Sequence, residues 1–131
     1  KEICEKSPIP IALDEELKQL KKEKNEFIKY ISPQYLVLKP TLIGGFEATK
    51  KWINIAEENH LNWWVTSALE SNVGLSAIAQ FCGNYPLTLP QGLGTGQLFS
   101  NNIPSPLEIK GENIFYNENK TWDLSNFEKV K

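Results

Sequence analysis

The sequence predicts an α/β fold of four strand–helix units, half the complement of an eight-stranded (β/α) barrel. Three observations predict it. Short apolar runs alternate with helical stretches, at a repeat of about 25 to 28 residues. Runs such as Tyr35-Leu36-Val37-Leu38 are continuously apolar rather than alternating, which is the pattern of strands covered on both faces of a parallel sheet. The runs also stop at one common side, where Asp14, Lys39, Ser67 and Gly92 follow them in turn.

Each element has its own signal. Residues 9–13 (Ile-Pro-Ile-Ala-Leu) form the first expected strand, and residues 15–30 a helix with Leu17, Leu20, Phe27 and Ile28 inward. Tyr35–Leu38 is the second strand. Gly44-Gly45 breaks the chain before a helix over residues 46–59, with Trp52, Ile53 and Ala56 toward the core. Residues 62–66 make the third strand, whose Trp63 and Trp64 point to opposite faces. A third helix over residues 73–81 is opened by Ser71 or Asn72 as N-cap. Residues 87–92 form a short fourth strand weakened by Pro90. After Gly96 the rhythm stops. Two runs flanking Gly111-Glu112 read as a β-hairpin, followed by a polar tail over residues 121–131. The expected organisation is therefore a half barrel over residues 1–100 and a hairpin-bearing segment over 101–131. A half barrel leaves sheet edges and one sheet face open, so the remaining barrel is expected upstream of Lys1 or on another chain. The lack of any methionine points the same way. A small flavodoxin-like open sheet is the architectural alternative.

Composition narrows the partners. The chain has 131 residues, 40% hydrophobic, with a net charge of −2, which argues against nucleic acid or a membrane surface. No apolar run reaches the roughly 20 residues that span a bilayer. Cys4 and Cys82 share no motif spacing and read as reduced thiols of a cytoplasmic protein, with a disulfide between them as the minor alternative.

The strand ends carry the chemistry. Asp14 closes an apolar run, where a carboxylate calls for a partner or a metal such as Mg²⁺; capping of the next helix is the plainer role. Glu15 and Glu16 suit a first helical turn. Lys39 could stabilise a developing enolate or exchange protons, against the plainer reading of a lysine reaching out to water. The stretch Ser67-Ala68-Leu69-Glu70-Ser71-Asn72 offers backbone N–H groups and hydroxyls to a carboxylate, with Glu70 able to pair with a cation; simple capping is the alternative. Gly92-Leu93-Gly94-Thr95-Gly96 does not open a helix as a dinucleotide fingerprint would, and suits a tight loop close to a ligand. His60, near a helix C-terminus, reads as a dipole partner rather than a metal ligand.

Taken together, Ala12-Leu13-Asp14-Glu15, Val37-Leu38-Lys39-Pro40, Thr66-Ser67-Ala68-Leu69-Glu70-Ser71 and Pro90-Gln91-Gly92-Leu93 resemble the C-terminal half of an enolase-superfamily barrel. Within it they are similar to the o-succinylbenzoate synthase family of menaquinone biosynthesis. The resemblance implies a Mg²⁺-dependent syn dehydration of 2-succinyl-6-hydroxy-2,4-cyclohexadiene-1-carboxylate. It implies Asp14 as one metal ligand and Lys39 as the lysine facing the substrate. Ser67, Ala68, Glu70 and Ser71, with Gly92 and Gly94, would line the pocket for the substrate's carboxylate and succinyl tail. The family's Lys-x-Lys pair, first two metal carboxylates and capping domain have no counterpart here, so this chain alone is expected to be inactive. The rival readings are an N-acylamino acid racemase or dipeptide epimerase of the same superfamily, and a non-catalytic binder of a small acid.

Overall fold

A computed structural model describes residues 1–20 and 22–125. Its centre is a parallel sheet of β1 (Ala12–Leu13), β2 (Tyr35–Leu38) and β3 (Asn62–Val65), in that order. Ala12 pairs with Tyr35, and Tyr35 with Asn62. Leu36 and Leu38 are fully buried and Val37 nearly so, as a strand covered on both sides requires. The two tryptophans of β3 face opposite ways. Trp63 meets Tyr85 edge-on at 5.5 Å in the helical layer, whereas Trp64 meets Tyr35 at 5.8 Å.

The chain opens with a surface helix, α1 (Glu2–Lys6), that buries none of its residues. Helix α2 (Lys24–Ile31) buries Ile28. A four-residue turn of helix, α3 (Pro40–Ile43), follows β2, and α4 (Gly45–Glu58) then buries Thr49, Trp52, Ile53 and Ala56, one stripe at helical spacing. Helix α5 (Asn72–Cys82) adds Leu75, Ile78 and Cys82 to the same core. The hairpin strands β4 (Leu107–Lys110) and β5 (Asn113–Tyr116) pair antiparallel across Gly111, whose φ of +60° suits a glycine-first two-residue turn. Ile114 packs from the hairpin onto the core, and a cavity of about 510 Å³ lies between the hairpin, α5 and residues 87–94.

Three expected elements come out differently. The first strand is two residues long, not five: Pro8 and Pro10 have no N–H to donate, and Ile9 is exposed. The helix expected over 15–30 is split into a 3₁₀ turn, Glu15–Gln19, and α2, with Glu23 left-handed between them at φ 54°. Leu17 is anchored in the core and Leu20 packs against it, but Lys22 and Glu23 offer no apolar side chain to carry the helix across the gap. The fourth strand shrinks to one parallel bridge, Gly92 to Thr66. Beside it the Gln91 side chain, not a strand backbone, accepts the Val65 N–H at 2.7 Å.

His60 sits just past α4 with a left-handed backbone (φ 57°). Of the polar tail, Trp122 is half-buried and the Asp123 N–H reaches the Pro104 carbonyl at 3.2 Å; residues 126–131 lie outside the described residues.

Candidate active site

Strand β2 delivers Lys39 to the sheet's C-terminal rim, and alternation places its side chain on the face of Val37, away from the helices. Pro40 is the first residue of α3, and a residue before proline is kept extended; Lys39 sits at φ −107° and ψ 94°. Its ammonium donates to Asp14 Oδ2 at 2.8 Å, with Glu15 Oε1 at 3.7 Å. The hydrogen bond to Asp14 raises the Lys39 pKa above its ordinary value; burial works against it, and the charges of Asp14 and Glu15 add to the rise. The lysine is thus turned to its acid partners, with only 19% of its side chain exposed.

Asp14 does not cap the turn that follows it, and its own N–H is accepted by Glu16 Oε2 at 3.0 Å. With Oδ2 engaged by Lys39, Oδ1 is buried without a hydrogen-bond partner. Such an oxygen is a ready donor to a hard cation. Among the described residues, however, no three Asp, Glu, His or Cys side chains come together as a metal site. Asp14 Oδ1 is a single candidate donor at this rim, not a set, among the described residues.

The second half of the rim is a polar loop. Ser67 is buried; its hydroxyl is hydrogen-bonded to the Thr95 hydroxyl and accepts the Leu69 N–H at 3.0 Å. Glu70 accepts from the Thr41 hydroxyl through Oε1 and from the Ala68 N–H through Oε2, at 2.7 Å for the latter. Burial alone would raise the Glu70 pKa, but the Ser67 and Thr41 hydroxyls and the backbone N–H groups of Glu70 and Ala68 outweigh it and lower the value. No cation pairs with Glu70 among the described residues, contrary to the pairing its charge suggests. Ser71 occupies the N-cap position of α5 without a side-chain bond, and the Asn72 N–H goes instead to Asn102 Oδ1 at 2.8 Å. The N–H groups of residues 68, 69 and 72 therefore already hold oxygens of this chain.

Gly92 is required by its neighbour: a Cβ there would stand 2.3 Å from Thr66 Oγ1. Gly94 is exposed, with nothing within 4 Å of an added Cβ, and opens a 3₁₀ turn, Gly94–Gln97. The structure thus brings Asp14 to Lys39, and Ser67 to Gly92 through the Ser67 N–H and Gly92 carbonyl at 3.0 Å. Thr41, Thr95 and Asn102 were not singled out by sequence reasoning. Their one signal is position, a polar side chain within a few residues of a strand end or in an Asn-Asn turn.

The family model described as "Enolase C-terminal domain-like" matches residues 1–116. The o-succinylbenzoate synthase of Desulfotalea psychrophila is 53% identical over 110 residues, covering 83% of this chain and 30% of that enzyme. The o-succinylbenzoate synthase of Pasteurella multocida is 30% identical over 108 residues, or 80% of this chain and 32% of that one. Among solved structures, MenC from Desulfotalea psychrophila superposes with a TM-score of 0.82 at 51% identity, over 86% of this chain and 32% of that one. The muconate lactonizing enzyme from Pseudomonas putida gives a TM-score of 0.73 at 19% identity, over 89% of this chain and 36% of its own, and shares the fold. The chain therefore spans about a third of the length of the proteins it matches.

Proposed function

Because this chain belongs to the enolase C-terminal domain-like family, we propose that it supplies the C-terminal part of an o-succinylbenzoate synthase active site, completed by barrel strands and a capping domain outside it. The observation that carries this reading is the Asp14–Lys39 pair on adjacent strand ends, with Asp14 Oδ1 buried and unpartnered. The reaction removes a proton next to a carboxylate and expels the neighbouring hydroxyl as water, leaving an aromatic ring. A proton in that position is a very weak acid, so charge developing on the carboxylate must be neutralised as it leaves. A bound Mg²⁺, with Asp14 as one of its ligands, would supply that neutralisation.

Lys39 supplies a second, fixed positive charge. Its side chain is held by Asp14 and its backbone by Pro40, so little reorganisation accompanies the rise of negative charge. The proton itself goes to a base outside this chain. The loop 67–71 and the turn at Gly92–Gly94 shape the region that takes the substrate's remaining carboxylate and tail. No described helix is long and apolar enough to cross a membrane.

The test is Mg²⁺-dependent loss of the cyclohexadiene substrate by the assembled enzyme, beside Lys39→Ala and this chain alone. Loss of kcat by about 10²- to 10³-fold in Lys39→Ala is the expected result, with no turnover by the isolated chain. Turnover of N-acylamino acid epimers but not of the cyclohexadiene would move the assignment to the racemase reading. An assembled protein inactive on both would leave the small-acid binder.

A further inference from the structure

We infer that Glu70 is a positioning residue: it clamps the substrate-lining loop 67–71 to helix α3, the helix that follows directly on Lys39, and does not itself contact substrate. Both carboxylate oxygens already have donors within the chain, Thr41 of α3 on one and the Ala68 N–H on the other. Helix α5 is cut away to seat the stem of this side chain. At Gly74 an added Cβ would lie 2.8 Å from Glu70 Cβ and 2.9 Å from its Cγ. The clamp has something to hold: Leu69 is left-handed at φ 69°, a costly conformation for leucine, and its exposed side chain gains no burial in return. Hydrogen bonds on either side of it, Ala68 N–H to Glu70 and Leu69 N–H to Ser67, fix that geometry.

Electrostatics favour the same role. A substrate bearing two carboxylates would be repelled by an outward-facing Glu70, whereas a carboxylate satisfied inward by a hydroxyl and an amide leaves the rim's positive charge to Lys39. Thr41 stands two residues after Lys39, so one side chain ties the loop to the segment that sets the lysine's backbone. This inference rests on the proposed function for its substrate but not for its geometry.

The experiment compares Glu70→Ala, Glu70→Gln, Thr41→Val and the Glu70→Ala/Thr41→Val double variant in the assembled enzyme. Glutamine keeps an acceptor for the Ala68 N–H and presents its amide to the Thr41 hydroxyl. A clamp predicts that Glu70→Ala raises KM about tenfold with kcat within about threefold, because loop contacts bind rather than react. It predicts that Glu70→Gln recovers most of the loss, and that Thr41→Val adds nothing on top of Glu70→Ala. Glu70→Gln as damaging as Glu70→Ala would show that the charge itself meets the substrate, and would overturn the clamp. So would full additivity of the two losses. Should the wild-type enzyme fail to turn over the cyclohexadiene, only the functional reading falls. Hydrogen exchange at the Ala68 amide then decides: faster by about tenfold or more in Glu70→Ala but not in Glu70→Gln supports the clamp, and an unchanged rate sinks it.

Discussion

Replacing Gly92 by alanine probes the weakest seam of the sheet, where the fourth strand is reduced to one bridge. The added methyl would lie 2.3 Å from Thr66 Oγ1, 2.7 Å from its Cβ and 3.3 Å from its Cα. The first of these atoms can rotate away, but the other two are fixed by the sheet. Either the methyl forces the segments apart or the bridge opens. Overpacking of this kind costs about 1–3 kcal/mol. Opening the bridge sacrifices the Gly92 N–H to Val65 bond at 2.8 Å, the Ser67 N–H to Gly92 bond at 3.0 Å and the Thr66 hydroxyl bond at 2.9 Å. At about 0.5–1.5 kcal/mol each, that route costs a similar amount. The cheaper route sets the loss, so Gly92→Ala is expected to lose about 1–3 kcal/mol, read by urea unfolding with tryptophan fluorescence. Gly94→Ala, with open space around its Cβ, should stay within about 0.5 kcal/mol of the wild type. If the two substitutions proved equally mild, the close approach of residues 66 and 92 would not be what selects glycine.

Two further outcomes follow from titratable groups. Lys120, Asn117 and Lys110 hold the Glu108 pKa at about 2 against an ordinary 4.5, so its contribution is complete above the unfolded value and fades as pH falls from about 4.5 toward 2. Amide protection across β4 and β5 should decline over that window in the wild type; in Glu108→Gln it should be lower at neutral pH and flat with acid, and a parallel decline in both would refute the assignment. Burial pushes the Cys82 thiol up to about 11, so it is protonated at neutral pH and slow to react. Iodoacetamide should label half-exposed Cys4 first and Cys82 only in denaturant, as followed by mass spectrometry; equal rates under native conditions would contradict the packing of α5.

Much of this architecture could be read from the residues because a few signals are unambiguous. Tyr35–Leu38 is apolar throughout and ends on a charge, and the strands flanking Gly111-Glu112 carry a turn that only glycine makes easily. The stripe Thr49, Trp52, Ile53 and Ala56 repeats at helical spacing. Helix α3 escaped notice because four residues are too few for periodicity, although proline after a strand is a helix-start signal. The break before α2 was hidden because charged residues are good helix formers and conceal the lack of packing. At the rim, Asp14 and Lys39 announced themselves by interrupting apolar runs. The partners of Glu70 and Ser67 did not, since Thr41 and Thr95 lie 29 and 28 residues away and only the folded sheet brings them near.

The sequence Lys39-Pro40 separates shape from chemistry at the rim. Proline restrains the backbone of residue 39 from the outside, without using any atom of its side chain. A different residue at 39 would inherit the same direction from β2, on the face away from the helices, and the same following helix, while Asp14 Oδ2 would lose the ammonium that now donates to it. Position 39 therefore acts as a socket whose aim is set by the backbone, while its occupant must still answer to Asp14.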